Sequence, residues 1–394
     1  MTEGIGLMEP LLPPEGIETL NDLAIDLVFK ASGFAGTLNP VVRKSLGSLV
    51  RSMNCYYSNL IEGHDTTPRE IDRALAKDYS NEPKKRALQE LAVAHIEVQK
   101  MIDDGLAPDF YPLSSEYGKW IHGAFYERLP EELRWTPEDP DTGVKKRVIP
   151  GMYRDGMVSV GLHIPVKPEN IDRFLTRFDQ AYDVARLSRL QRIISIAASH
   201  HRYAWIHPFY DGNGRVVRLM SHAAFKKMDV GTELWSVARG LARRKDDYKA
   251  LLQAADEPRR GDLDGRGTLS QEALIDFCRF FLSICIDQVE FMSSLLDYKT
   301  LSERIRIHVD EMIALKELPK GSYALLREAL LVGEFERGKV EDITGFKNRA
   351  ARDVLYALTK KGFLVSDTPR GPIRLGFPID VIERWFPLLY PATK

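Results

Sequence analysis

The stretch HPFYDGNGRVVR, His207 to Arg218, limits this chain more than any other feature. The apolar run before it, Leu190 to Ile206, has helical spacing, and Pro208 must end that helix because its ring removes a donor and clashes with the preceding turn. His207 is therefore presented at a helix exit. Val216 to Phe225 reads as a second helix, with Asp211 to Gly214 at its start. The N–H groups there lack intrahelical partners, and the glycines let an anion approach them closely. Arg215 and Arg218 are three apart and project from one helix face. The stretch thus supplies one titratable base, one hard-cation ligand and a cationic cradle for phosphate.

Every defined position of His-x-Phe-x-Asp/Glu-Gly-Asn-Gly-Arg-x-x-Arg is present, and in this the chain resembles the Fic family. The lead-in His200 to Ile206 and the downstream Lys245 to Leu251 and Gly261 to Gly265 extend the likeness. The resemblance implies a mainly α protein: a Fic-type helical core with a small β-hairpin flap. It also implies an enzyme that moves AMP from ATP onto a Ser, Thr or Tyr hydroxyl of a protein, with ATP as substrate and Mg²⁺ as cofactor. On that footing His207 is the general base and Asp211 holds the metal. Gly212, Asn213, Gly214 and Arg215 bind the phosphates, and Arg218 holds the γ-phosphate. Tyr248, with Arg243, lies on the adenine side.

Ser58-Asn59-Leu60-Ile61-Glu62-Gly63 fits the Ser/Thr-x-x-x-Glu-Gly/Asn pattern that marks an inhibitory helix in this family. The four-residue spacing puts Ser58 and Glu62 on one helix face, and Gly63 is a natural stop. Glu62 is the expected inhibitor, pairing with Arg218, and Ser58 its support. Arg147 to Gly161 alternates short strand-like runs around Asp155-Gly156 and is expected to form a hairpin. In the family a hairpin here is a flap that holds a target segment by strand addition.

Three domains are expected. Residues 1–105 hold an arm and helices, the inhibitory helix at about 42–63; 106–298 form the core, with the flap at about 147–165; 299–394 form the third. In the last, Ser322–Val332, Lys339–Thr344 and Lys347–Lys361 read as short helices, followed by strand, turn and strand, which resembles a winged helix. Its Lys347, Arg349, Arg352, Lys360 and Lys361 suit a DNA reader, while Glu334, Glu336, Glu341, Asp342 and Asp353 dilute that field, so a DNA or a protein partner is open.

Lys and Arg number 55 against 56 Asp and Glu, so no global field argues for nucleic acid or anionic membrane. The three cysteines, Cys55, Cys278 and Cys285, read as free core thiols, and with no signal-peptide pattern a cytoplasmic location is expected. No stretch reaches membrane-spanning length. Asp262 to Gly267 is not a calcium loop, because Arg266 and Ala273 stand where oxygen ligands are needed. The expected partners are a target protein with a hydroxyl side chain, this protein itself among the candidates, and a second copy as a homodimer. Two alternatives to AMP transfer stand beside it: a nucleotide-sensing DNA-binding regulator, and an enzyme of the same fold that removes AMP.

Overall fold

The computed structural model describes residues 4–138 and 143–390. Among these there are sixteen α-helices and one three-stranded sheet, so the fold is mainly α. The chain divides into two compact units. One comprises the chain up to Ser32, Asn54–Thr232 and Ser236–Gln288; the other comprises Gly33–Met53, Glu233–Trp235 and the chain from Val289.

The first unit is built on α1 (Glu18–Gly36, to Ser32), α2 (Pro40–Ile61, from Asn54 on), α3 (Pro68–Leu75), α4 (Pro83–Asp103), α5 (Ser115–Glu127), α6 (Ile171–Ala181), α7 (Arg189–Ile206), α8 (Asn213–Lys227), α9 (Val237–Arg243), α10 (Lys245–Asp256) and α11 (Gln271–Leu295, to Gln288). Thr67 and Glu70 form a capping box on α3, Ser188 and Gln191 another on α7, and Ser114 caps α5. Helix α7 is buried along nearly all of its length from Ile193, which makes it the central helix of this unit. It packs against α8, and α8 in turn packs against α5 and α4. The N-terminal arm docks on this core: the buried Arg202 donates to the Pro10 carbonyl at 2.9 Å, and Tyr182 Oη donates to that of Leu11 at 2.6 Å. Asp264 accepts from the N–H groups of Arg260 (2.9 Å) and Glu272 (2.8 Å), so the Asp262 to Gly267 loop caps α11.

The second unit contains α12 (Tyr298–Ala314), α13 (Ser322–Val332), α14 (Val340–Thr344), α15 (Asn348–Lys360) and α16 (Ile379–Trp385). Its strands β1 (Glu334–Phe335), β2 (Leu364–Val365) and β3 (Ile373–Leu375) form an antiparallel sheet of order β1-β3-β2, with Glu334 opposite Arg374 and Leu364 opposite Leu375. Leu325, Leu326, Ala329, Val354, Leu358 and Ile373 are buried. Helix, strand, helix, helix, strand, turn and strand follow one another from α13 on; β1, of only two residues, was not expected from sequence.

The hairpin expected over Arg147 to Gly161 does not form a ladder. Among the described residues only isolated bridges involve this segment, Arg147 with Trp135 and Val160 with His163. The reason is that the groups a ladder needs are spent elsewhere. Pro150 has no N–H, the Gly151 N–H goes to His122 Nδ1 at 3.0 Å, and the Arg154 N–H goes to the Pro208 carbonyl at 2.9 Å. The Arg154 guanidinium also takes the Gly156 and Val166 carbonyls. The segment remains beside the 207–218 stretch, with Ile149, Met152, Met157, Leu162 and Ile164 exposed.

Candidate active site

His207 ends α7 in the left-handed region, φ 51° and ψ 61°, with its N–H on the Tyr203 carbonyl at 3.1 Å. A bulky residue seldom adopts this conformation, and surrounding contacts must hold it there. Arg154 is one of them: it is 2% exposed and its Nε donates to the His207 carbonyl at 2.8 Å. On the ring, Nδ1 lies 3.3 Å from the Ala204 carbonyl. A donor at Nδ1 leaves the Nε2 lone pair free. Burial lowers the imidazole pKa to about 4, so the ring is neutral near pH 7 and can accept a proton.

The turn that follows is braced by Asn213. Its Oδ1 accepts from the Phe209 N–H at 3.0 Å and its Nδ2 donates to the Phe209 carbonyl at 2.8 Å, so the side chain is committed to the loop rather than to a ligand. The Phe209 ring stacks on His122, centroids 3.8 Å apart. Gly212 has φ 81° and precedes α8; a β-carbon there would come within 2.9 Å of the Tyr126 ring, so glycine is required on both counts. Tyr126 Oη donates to Asp211 Oδ2 at 2.7 Å. Burial first, and Asp211 second, raise the phenol's pKa well above its ordinary value, so it remains a donor.

Both arginines of the stretch are buried, Arg215 at 4% and Arg218 at 5% exposed. Arg218 Nε donates to Ser58 Oγ at 2.9 Å, and its Nη2 forms an ion pair with Glu62. Partial burial of the Glu62 carboxyl pushes its pKa up, but the nearby charges of Arg218 and Arg215 outweigh this and bring it down to about 2. Glu62 also sits against Gly214: a β-carbon on Gly214 would collide with its Oε1. Lys245 Nζ donates to the Leu60 carbonyl at 2.9 Å, closing off the last turn of α2. Arg215 lies over the Phe125 ring, 5.3 Å from its centroid, and its Nη2 donates to His64 Nδ1 at 3.2 Å.

The structure thus joins Ser58, Glu62, Gly214 and Arg218 in one cluster, with Asp211 and Arg215 beside it. Tyr248 is buried next to this cluster, its hydroxyl 2.7 Å from His200 Nε2, while Ser221 Oγ meets the other nitrogen of His200 at 2.9 Å. Arg243 stands exposed at the last turn of α9, where its charge acts on Tyr57. Sequence reasoning missed Arg154, Tyr126 and His64. Arg154 and Tyr126 carry no local signal, since their partners lie 53 and 85 residues away in the chain. Among the described residues no group of three or more metal-ligating side chains converges. Asp211 nevertheless suits Mg²⁺, which is commonly held by one or two carboxylates together with substrate phosphates.

Residues 112–224 match the model of the Fic/DOC family. A protein adenylyltransferase Fic of Nematostella vectensis is 37% identical over 104 residues, 26% of this chain and 23% of that protein. One of Drosophila melanogaster is 37% identical over 70 residues, 18% of this chain and 14% of that protein. The matched stretch is therefore a quarter or less of each relative's length. A crystal structure of a Fic family protein from Desulfovibrio desulfuricans superposes with TM-score 0.51 at 17% identity, covering 93% of this chain and 98% of that one. Fold and site together define a helical protein in which a glycine-flanked helix start carries two buried arginines. Residues 112–224 carry a Fic/DOC domain.

Proposed function

We propose that this protein transfers AMP from ATP to a Ser, Thr or Tyr hydroxyl of a protein and is held in check by Glu62. The observation that carries the reading is the neutral, buried His207, held by Arg154 and followed directly by the braced Asp211–Gly214 turn and its two arginines. The names of the partial relatives, protein adenylyltransferase Fic, support the same reaction class.

In this reaction the target oxygen bonds to the α-phosphorus, the bond from that phosphorus to the bridging oxygen breaks, and pyrophosphate leaves. His207 Nε2 takes the hydroxyl proton. The N–H groups at the start of α8 and the Arg215 guanidinium offset charge on the transferred and leaving groups. Asp211 would hold Mg²⁺, which when bound neutralises phosphate charge. Arg218 is the donor for the γ-phosphate, and its pairing with Glu62 supports the inhibitory reading, because ATP must then bind without it. The exposed apolar residues of the 149–164 segment, beside the motif, are the surface offered to a target.

The test is incubation with Mg-ATP followed by mass spectrometry of the protein and of co-incubated candidate targets. A mass gain of one AMP that requires His207 supports the reading. No AMP adduct even from Glu62→Gly would overturn it, and loss of AMP from a pre-modified target would favour the removal reaction.

A further inference from the structure

The contact between Glu62 and Arg218 leaves the second cation of the cradle unexplained. Helix α2 ends at Ile61, and Gly63 follows with φ +83°, a conformation that side chains resist. This turn folds the chain back so that the His64 N–H reaches the Asn59 carbonyl at 2.9 Å. The imidazole is thereby delivered to Arg215, whose Nη2 donates to His64 Nδ1 at 3.2 Å. Among the described residues the Nε of this buried guanidinium has no hydrogen-bond partner, and His64 is its only side-chain acceptor.

We infer that the inhibitory segment closes on both arginines of the stretch, with His64 withholding Arg215 from nucleotide phosphate as Glu62 withholds Arg218. The inference rests on the adenylyl-transfer reading of the site and names a second regulatory contact within it. Its chemistry is a competition for one donor. A phosphate oxygen makes a stronger, charge-assisted bond to guanidinium than a neutral ring nitrogen does, yet it must first displace the imidazole. Only a neutral His64 can accept at Nδ1. Burial, then the charge of Arg215, keep its pKa below the ordinary value, against the opposing pull of Glu62 and Asp211, the other charged groups that face it. Gly63 is essential to the arrangement, because a β-carbon there would strain the turn that brings the ring back.

The experiment is a titration of the full chain with Mg-ATP by calorimetry, comparing wild type, His64→Ala and His64→Gln, with AMP incorporation measured in parallel. His64→Ala should bind ATP about three- to tenfold more tightly, the scale of one modest hydrogen bond given up. His64→Gln, whose side-chain carbonyl can accept from Arg215, should return affinity toward wild type. Unchanged affinity in His64→Ala would overturn the inference. Weaker binding would also overturn it, since His64 would then be orienting Arg215 toward phosphate. A glutamine variant as tight as the alanine variant would remove the acceptor role. Binding is read without any transfer, so absence of AMP adducts from Glu62→Gly would sink the reaction reading while these affinities still decide the role of His64.

Discussion

Arg154 Nε donates to the backbone carbonyl of His207 at 2.8 Å, and the same guanidinium serves the Gly156 and Val166 carbonyls. One buried cation thus fixes the left-handed residue that ends α7 and also the irregular segment beside it. Arg154→Gln should leave ATP affinity within about twofold while reducing AMP transfer about 10²-fold, the scale of a 1 Å misplacement. It should also destabilise the fold by roughly 2–5 kcal/mol, because buried carbonyls lose their partner. Chemical denaturation read beside transfer kinetics separates the two effects. An unchanged transfer rate would show that His207 holds its position without Arg154.

Ser58 and Glu62 meet Arg218 from one helix face, but only Glu62 carries charge. Ser58→Ala should raise AMP transfer by a few-fold, well below the rise from Glu62→Gly, since removing a neutral acceptor weakens the hold on Arg218 without freeing it. The comparison is initial rates at one ATP concentration. A larger rise from Ser58→Ala would make the serine, not the carboxylate, the principal restraint.

Asp211 accepts from Tyr126 Oη at 2.7 Å, and its charge acts on Arg215. Asp211→Asn should shift the Mg²⁺ titration of activity to higher concentration and lower the maximal rate. Tyr126→Phe should keep the charge while freeing it to move, giving a smaller rate loss with the Mg²⁺ midpoint little changed. An unaltered Mg²⁺ titration in Asp211→Asn would assign the metal to another group.

The buried His207 is neutral down to about pH 4, against an ordinary value of 6.5. The acid limb of kcat/KM, measured on Glu62→Gly to remove the inhibitory carboxylate, should therefore fall near pH 4 rather than 6.5. The stability sign follows: with the folded pKa depressed, the His207 contribution is present above about 6.5 and lost as pH falls through about 4, because the unfolded chain binds the proton first. For Glu62, depressed to about 2, the contribution is present above its ordinary value of 4.5 and is lost as pH falls toward 2. A limb centred at 6.5 would mean that the site is more hydrated than its burial indicates.

How far the sequence carried this reading depends on how local each signal is. The helix exit at His207, and the short helices followed by strand, turn and strand near the C-terminal end, are written in neighbouring residues, and each has its counterpart in the structure. The pairing of Glu62 with Arg218 spans 156 residues, yet it was legible because both ends carry family patterns. Arg154 and Tyr126 have no such pattern; their roles come from burial and from partners brought near only by folding. The hairpin expectation failed for a related reason. Alternation in Arg147 to Gly161 suggested paired strands, but Gly151 and Arg154 give their N–H groups to His122 and Pro208, which no local window reveals. His64 lies one residue past the Ser58 to Gly63 pattern, and only the left-handed turn at Gly63, φ +83°, brings it back toward the helix.

The central claim is that Glu62 restrains an AMP-transferring site, and the most direct measurement is the initial rate of AMP incorporation from α-labelled ATP by wild type, Glu62→Gly, and Glu62→Gly with His207→Ala. Freeing Arg218 should raise the rate by about 10²-fold or more, the cost of a misaligned α-phosphate, and removing the base should then lower it by roughly 10²–10⁴. Equal rates for wild type and Glu62→Gly, or full labelling by the double variant, would contradict the account.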